Sequence, residues 1–376
     1  MKRYLTENIK ADLNKKIILL SGPRQCGKTT LAKMLSNSYD YINYDSIEHR
    51  ILLKEKSWDR KKEIIILDEL HKLKNWKSWL KGVFDTEGIK PKLLVTGSAR
   101  MDTHKKVGDS LAGRFFQYRL HPLDLKEIKE ILKPRSLENA LDTLLLLGGF
   151  PEPFLEGSVG FYNKWKKSHL DIILKQDLVD LDNIHQISSI ETLIQLLKDR
   201  TGSLVSYSSL ARDLQYSDKT IKKWLIVLEN MYVLFKISPF NKNIARSLLK
   251  SPKYYFYDNG QVTGDDGAKL ENLVACALLK EINKQSDCCG KQFDLFFLRN
   301  KDGYEIDFLI TKEGKPHLAL EVKLSDDTTS DNFKIFSDVL KGITKIQIVK
   351  NLSREKTYPS GVEIRKASNW LSEFSL

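Results

Sequence analysis

Cysteine is scarce in this 376-residue chain: there are four, with Cys288 and Cys289 adjacent and Cys26 inside a glycine-rich loop. They assemble neither a disulfide framework nor the paired C-x-x-C spacing of a zinc site. No apolar run approaches the ~20 residues needed to cross a bilayer. Met1-Lys2-Arg3-Tyr4 leads into mixed polar sequence, without the apolar stretch and cleavage site of a signal peptide. A soluble protein of the reducing cytoplasm, with no membrane partner, is the expectation. Fixed-period repeats and low-complexity segments are also missing, which excludes solenoids and propellers. What is present, 41% hydrophobic and 10% aromatic residues, excludes a disordered chain and suffices for two or three hydrophobic cores.

The formal net charge is +12, which favours anionic partners such as nucleic acid. The basic excess lies mainly in residues 1–185, much of it scattered through residues 50–106. A scattered excess suits a solvated surface as well as a binding face.

The first half alternates apolar runs with amphipathic stretches. Ile17–Ser21, Tyr41–Tyr44, Glu63–Leu67, Leu93–Thr96 and Phe115–Leu120 read as parallel strands of an α/β sheet covered on both faces. From Leu123 to His185 the pattern is helical, broken by Gly148-Gly149-Phe150-Pro151-Glu152-Pro153, whose glycines and prolines cannot continue a helix. This reads as a helical lid. Helices over Ile190–Asp199, Ser208–Leu214 and Asp218–Asn230, with a break at Thr201-Gly202 and a strand at Val233–Ile237, fit a winged helix-turn-helix. A helix at Leu270–Asn283 and strands at Phe293–Arg299, Tyr304–Ile310, His317–Leu324 and Thr344–Val349 form a further α/β unit. The expected domains are 1–185, 186–240 and 241–376.

Gly22-Pro23-Arg24-Gln25-Cys26-Gly27-Lys28-Thr29 fits G-x-x-x-x-G-K-[ST], between an apolar strand and the helix-compatible stretch from Thr30 to Leu35. Glycine at 22 and 27 lets the backbone turn so that its N–H groups meet phosphate oxygens. Lys28 is then placed for the β- and γ-phosphates and the Thr29 hydroxyl for Mg²⁺, so ATP and Mg²⁺ are the expected ligands. Ile64-Ile65-Ile66-Leu67-Asp68-Glu69 is an apolar strand ending in two carboxylates. Asp68 is expected to hold Mg²⁺ and Glu69 to take the proton of the attacking water.

Together with Thr96-Gly97-Ser98, Ala112-Gly113-Arg114 and Gly148-Gly149-Phe150-Pro151, these motifs resemble a large group of prokaryotic AAA+ ATPases. The resemblance implies that Ser98 orients the attacking water, although a helix- or turn-capping serine would read the same way. It implies that Arg114, with Arg100 as runner-up, reaches a neighbouring subunit's nucleotide, so that the protein is a homo-oligomer. Proteins of that group also carry a winged helix and a C-terminal domain related to PD-(D/E)xK nucleases, which here would use Glu271, Asp307, Glu321 and Lys323. A hairpin tip centred on Gly314 places Asp307 opposite Glu321, with Lys323 on the same face. Two carboxylates there could hold a second Mg²⁺ or Mn²⁺, and ordinary solvent-facing charges would give the same pattern. Lys219, Lys222 and Lys223, near the start of the third helix, are the candidate DNA contacts, with Trp224 facing the core. An ATPase that binds or remodels DNA is the leading expectation. A nucleotide-dependent switch recruiting a protein partner, and an ATP-gated nuclease, are the alternatives.

Overall fold

The computed structural model describes residues 1–98, 111–177, 186–241 and 251–376. Arg100 and His185 lie outside the described residues. The chain divides into two compact units, one of residues 1–121 with 230–232 and 287–289, the other of residues 122–229, 233–286 and 290–376.

The first unit begins with α1 (Thr6–Asp12) and is built on five parallel strands: β1 (Ile17–Ser21), β2 (Tyr39–Asn43), β3 (Ile64–Asp68), β4 (Lys92–Gly97) and β5 (Phe115–Arg119). Their spatial order is β2-β3-β4-β1-β5. β1 and β3 are buried at every position, which is why they read as unbroken apolar runs instead of alternating ones. The crossovers are α2 (Lys28–Lys33), α3 (Ile47–Glu55) and α4 (Trp76–Glu87). α4 lays Trp76, Leu80 and Val83 into a core with Leu19, Ile65, Leu67 and Val95, the i, i+4, i+7 stripe of an amphipathic helix. The mixed α/β architecture with a parallel sheet is the expected one.

The second unit opens with α5 (Leu125–Leu132), α6 (Leu137–Leu147), α7 (Pro151–Glu156) and α8 (Val159–Ile172). Three of them start on side-chain caps, Asp124, Ser136 and Ser158, and α7 starts with proline at its first position. Next come α9 (Ile187–Lys198), α10 (Tyr207–Leu214) and α11 (Asp218–Asn230). Ser217 caps α11 by accepting from the Thr220 N–H at 3.1 Å. Trp224 is buried and meets Tyr216 at 4.7 Å, whereas Lys219, Lys222 and Lys223 are exposed.

The strand after α11 is β6 (Leu234–Pro239). It does not end the helical segment as a free wing. It pairs antiparallel with β7 (Lys253–Phe256) and parallel with β8 (Phe293–Arg299), so the eight-stranded sheet runs across the expected break at 240–241. The rest of that sheet is β9 (Glu305–Lys312), β10 (Lys315–Lys323), β11 (Thr344–Val349), β12 (Lys356–Thr357) and β13 (Val362–Lys366), in the order β12-β13-β11-β10-β9-β8-β6-β7. The long helix α12 (Asp266–Cys289) begins on the Asp265 cap, and α13 (Ala367–Glu373) ends the chain. Lys280 on α12 is buried against Glu127 at 2.7 Å and Asp124 at 3.0 Å, tying α12 to the start of α5.

The Gly148-Gly149-Phe150-Pro151 stretch has a packing role. Gly148, at φ +69, leaves no room for a Cβ, which would lie 2.1 Å from Asp258 Oδ1. Tyr162 donates to Asp258 Oδ2 at 2.9 Å, and a Cβ on Gly260 would lie 2.2 Å from the Tyr162 hydroxyl oxygen. The turn 258–260 is thereby fastened to α6 and α8. Burial pushes the Asp258 carboxyl up to about 6, above the ~3.9 of an exposed aspartate. The folded state therefore binds this proton more tightly than the unfolded state. Its contribution to stability is complete below about pH 4 and lost as pH rises through about 6. Denaturant midpoints should fall by the equivalent of roughly 1–3 kcal/mol between pH 4.5 and 7.5 from this group. Asp258→Asn should flatten that slope; parallel wild-type and variant curves would mean Asp258 is ionised in the fold.

Candidate functional site

Gly22 and Gly27, at φ +152 and +97, and Gln25, at φ 60, bend the loop between β1 and α2. A Cβ on Gly22 would lie 2.2 Å from the carbonyl oxygen of Leu120, a backbone atom that cannot step aside. Lys28 is buried and spans the loop from inside, donating to the Gly22 carbonyl at 2.9 Å and the Pro23 carbonyl at 2.7 Å. Arg24 is half-buried, Gln25 and Thr30 are exposed, and the buried Cys26 approaches the Leu120 carbonyl at 3.5 Å. Arg3, ahead of α1, braces the loop by donating to the Cys26 carbonyl at 2.8 Å and the His121 carbonyl at 2.7 Å. Sequence reasoning missed Arg3, because it is remote in the chain from the motif it supports.

Asp68 ends β3 with its carboxylate ringed by hydroxyls. Thr29 donates at 2.9 Å and Tyr41 at 2.7 Å to Oδ2, and Thr96 donates to Oδ1. The paired oxygens of Thr29 and Asp68 are the ligand type a hard divalent cation takes, so the residues present fit Mg²⁺. Tyr41 reads in the sequence as an ordinary strand residue, and Thr96 figures there only within the Thr96-Gly97-Ser98 motif, without this contact to Asp68. Burial, then Asp68, raise the Tyr41 hydroxyl above its ordinary pKa, so it remains a donor.

Glu69 takes φ 56 and donates its N–H to the Thr96 carbonyl at 2.9 Å. Its Oε2 accepts from Ser98 Oγ at 3.3 Å and lies 3.6 Å from His71 Nδ1. Thus Lys28, Thr29, Asp68, Glu69 and Ser98 gather at the carboxyl ends of β1, β3 and β4, the edge at which open α/β sheets bind ligands. Arg114 is elsewhere. It precedes β5, whose first residue Phe115 is level with Ile17, so roughly five residues of strand, about 17 Å, separate it from the loop. Its guanidinium forks onto Asp85 of α4 at 2.7 and 3.2 Å.

In the second unit, β9 and β10 join through Glu313 and Gly314, at φ 51 and 76, a pair of positive-φ residues of the kind a tight two-residue hairpin uses. The register shifts by one between Pro316 and Leu318 and then pairs Leu320 with Phe308. Continued by one residue it sets Asp307 opposite Glu321, and Asp307 Oδ2 accepts from the Val322 N–H at 2.8 Å. Glu321 accepts from Asn332 at 2.9 Å and lies 3.6 Å from Lys323 Nζ. Burial raises both Asp307 and Glu321, and for Asp307 the Glu321 charge adds to the rise.

Glu271, on α12, belongs to the same neighbourhood: burial and then the Asp307 charge raise its carboxyl to about 7. Its Oε1 accepts from Tyr255 at 2.7 Å and pairs at 3.2 Å with Lys253. Lys253 is buried and also pairs with Glu305. Among the described residues no group of three or more His, Cys, Asp or Glu side chains could hold a metal ion. Lys253 had no signal in the sequence; it comes from a strand the apolar pattern did not reveal.

Residues 14–129 match the family described as an AAA domain. Residues 138–263 and 266–364 match two domains of unknown function, DUF8612 and DUF4143. An uncharacterized protein of Haemophilus influenzae is 24% identical over 418 residues, covering 98% of this chain and 98% of its own. One of Methanocaldococcus jannaschii is 24% identical over 417 residues, 94% of this chain and 83% of its own. One of Mycobacterium tuberculosis is 26% identical over 317 residues, 82% of this chain and 70% of its own. Among solved structures, a signal transduction ATPase with numerous domains and a tetratricopeptide repeat sensor, from Pyrococcus horikoshii, aligns at TM-score 0.32 and 14% identity over 75% of this chain and 46% of that chain. The chain carries an AAA-type domain. No helix among the described residues is long and apolar enough to cross a membrane.

The Gly22 contact makes a direct prediction. Gly22→Ala forces a Cβ onto a backbone oxygen at a positive φ, a strain of about 1–3 kcal/mol, relieved by displacing the loop. Nucleotide affinity, titrated with a fluorescent ATP analogue, should fall at least about tenfold. Wild-type affinity would show that the loop's shape is not what binds nucleotide.

Proposed function

We propose that this chain is a Mg²⁺-dependent ATPase that acts as an oligomer on DNA. The observation carrying the hydrolytic part is the meeting of Thr29, Asp68, Glu69 and Ser98 at the mouth of a glycine-shaped loop with a buried lysine inside it. Lys28 exchanges its loop carbonyls for phosphate oxygens. Mg²⁺ held by Thr29 and Asp68 would supply positive charge to the β- and γ-phosphates. Glu69 takes the proton of the attacking water and Ser98 holds the carboxylate that takes it.

Arg114 suits action on a neighbour, because it is a strand's length from its own loop and is only half-buried. To act it must leave Asp85. The DNA part rests on Lys219, Lys222 and Lys223, exposed along one capped helix whose opposite face is buried through Ile221, Trp224, Leu225 and Leu228. Its exposed cations make the row that contacts phosphates, with Asp218 and Ile226 also exposed on the same helix.

A second reading, metal-dependent cleavage by the second unit, is favoured by one observation, the Asp307–Glu321 juxtaposition beside Lys323. A bound divalent ion would keep both carboxylates ionised, and Lys323 would orient a water. If so, Asp307→Ala and Lys323→Ala should abolish Mn²⁺-dependent nicking of plasmid DNA with ATPase activity intact. Unchanged nicking in both variants would leave the cluster without a catalytic role.

Lys28→Ala should abolish nucleotide binding. Glu69→Gln should bind ATP as wild type does while hydrolysis falls roughly 10²–10⁴-fold, the range for loss of a general base. Wild-type turnover by Glu69→Gln would overturn its assignment. Arg114→Ala should bind ATP yet hydrolyse poorly. Mixing it with the Arg114-intact Glu69→Gln chain should restore turnover at mixed interfaces; absence of rescue in subunits shown to exchange would argue against action between subunits.

A further inference from the structure

Behind Glu69 the chain makes a short 3-10 turn, Leu70–Lys72, which folds His71 back against the carboxylate it follows. The His71 side chain is only 7% exposed. Its Nδ1 is buried and has no hydrogen-bond partner among the described residues. A buried ring nitrogen left unpaired is unfavourable and uncommon in folded proteins, so what lies beside it is informative. It lies 3.6 Å from Glu69 Oε2, the same oxygen that Ser98 Oγ approaches at 3.3 Å. Both distances are longer than a good hydrogen bond of their type. The two groups come from different elements, one from the turn after β3 and one from the end of β4. Meanwhile the Glu69 backbone is fixed by its N–H bond to the Thr96 carbonyl at 2.9 Å.

We propose that His71 is a positioning residue for ATP hydrolysis: as its neutral Nδ1–H tautomer it donates to Glu69 Oε2 in the hydrolysing state and, with Ser98, clamps that carboxylate toward the attacking water. The inference rests on the reading of Glu69 as the general base. A shift of roughly half an ångström closes the gap to hydrogen-bond length, and such contacts commonly tighten only when substrate is bound. Burial, with Lys72 and Lys28 next in effect, pushes the imidazole down to about 4 against the opposing pull of Asp45 and Asp68, which favours the neutral ring. His71 keeps its proton throughout. The water proton goes to Glu69, the water oxygen bonds to the γ-phosphorus, and the bond from that phosphorus to the bridging oxygen breaks to release ADP.

Steady-state ATPase kinetics of the full chain test this. His71→Leu, of similar bulk and without a donor, should lower kcat about 10- to 100-fold, the scale of a misplaced catalytic group, with KM within about twofold of wild type. His71→Gln, which restores an N–H donor, should recover most of the loss. In the Glu69→Gln background, His71→Leu should cost nothing further, because the two residues act as one device. Wild-type kcat in His71→Leu, equal losses in the Leu and Gln variants, or a full additional loss in the double variant would overturn the proposal. If His71→Leu does not fold, as judged by loss of nucleotide binding, His71→Gln against the shorter His71→Asn carries the test: Gln should be the faster enzyme, and equal rates would overturn the proposal. A Glu69→Gln chain that hydrolyses ATP normally defeats the base assignment itself. A dead Glu69→Gln chain beside a wild-type-like His71→Leu defeats only the role of His71.

Discussion

The first unit is organised around one carboxylate. Asp68 receives hydroxyl hydrogen bonds from Thr29 on α2, Tyr41 on β2 and Thr96 on β4, while itself ending β3, so four elements meet at one pair of oxygens. Hydrogen bonds to a charged acceptor are worth about 1.5–3 kcal/mol each. The larger effect is geometric. Removing the carboxylate would leave hydroxyls without this acceptor on three neighbours at once, and the Thr29 hydroxyl would lose its fixed direction. The glutamate next in sequence inherits this rigidity: its N–H is anchored on Thr96, the residue that also binds Asp68.

Motifs built from contiguous residues were legible in the sequence, and so were elements with strong periodicity. β1, β5, α11, β8 and β11 fall within a residue of their expected limits, because buried parallel strands and capped amphipathic helices each carry a local signature. What escaped were long-range partners. Arg3, Tyr41 and Lys253 act through residues between 18 and more than a hundred positions away, and no local pattern marks them. β7, β12 and β13 are short strands whose pairing is decided by the sheet they join. The strand read as a wing shows the same limit, since a five- or six-residue apolar run does not say which sheet will take it.

The Gly148-Gly149-Phe150-Pro151 stretch teaches a related point. Its glycines permit close approach at a packing contact: one faces Asp258 and the other would place a Cβ 2.2 Å from the Leu123 carbonyl. Phe150 then inserts beside Trp165 at 5.1 Å and His169 at 5.0 Å. A motif prominent enough to suggest a family can thus be a joint rather than a reacting group.

The one-residue shift between Pro316 and Leu318 makes β10 a question of parity. From a two-residue turn at Glu313-Gly314, uninterrupted pairing would set Asp307 across from Leu320 and Glu321 across from Ile306, on opposite faces of the sheet. The extra residue changes odd to even, and every side chain beyond it exchanges sides. Deleting a single residue there, with the composition otherwise untouched, would carry a carboxylate into the apolar layer and bring Leu320 out beside Asp307. Length in this hairpin is therefore under tighter constraint than residue identity: a substitution at His317 can be absorbed, whereas an insertion or deletion of one residue inverts the strand.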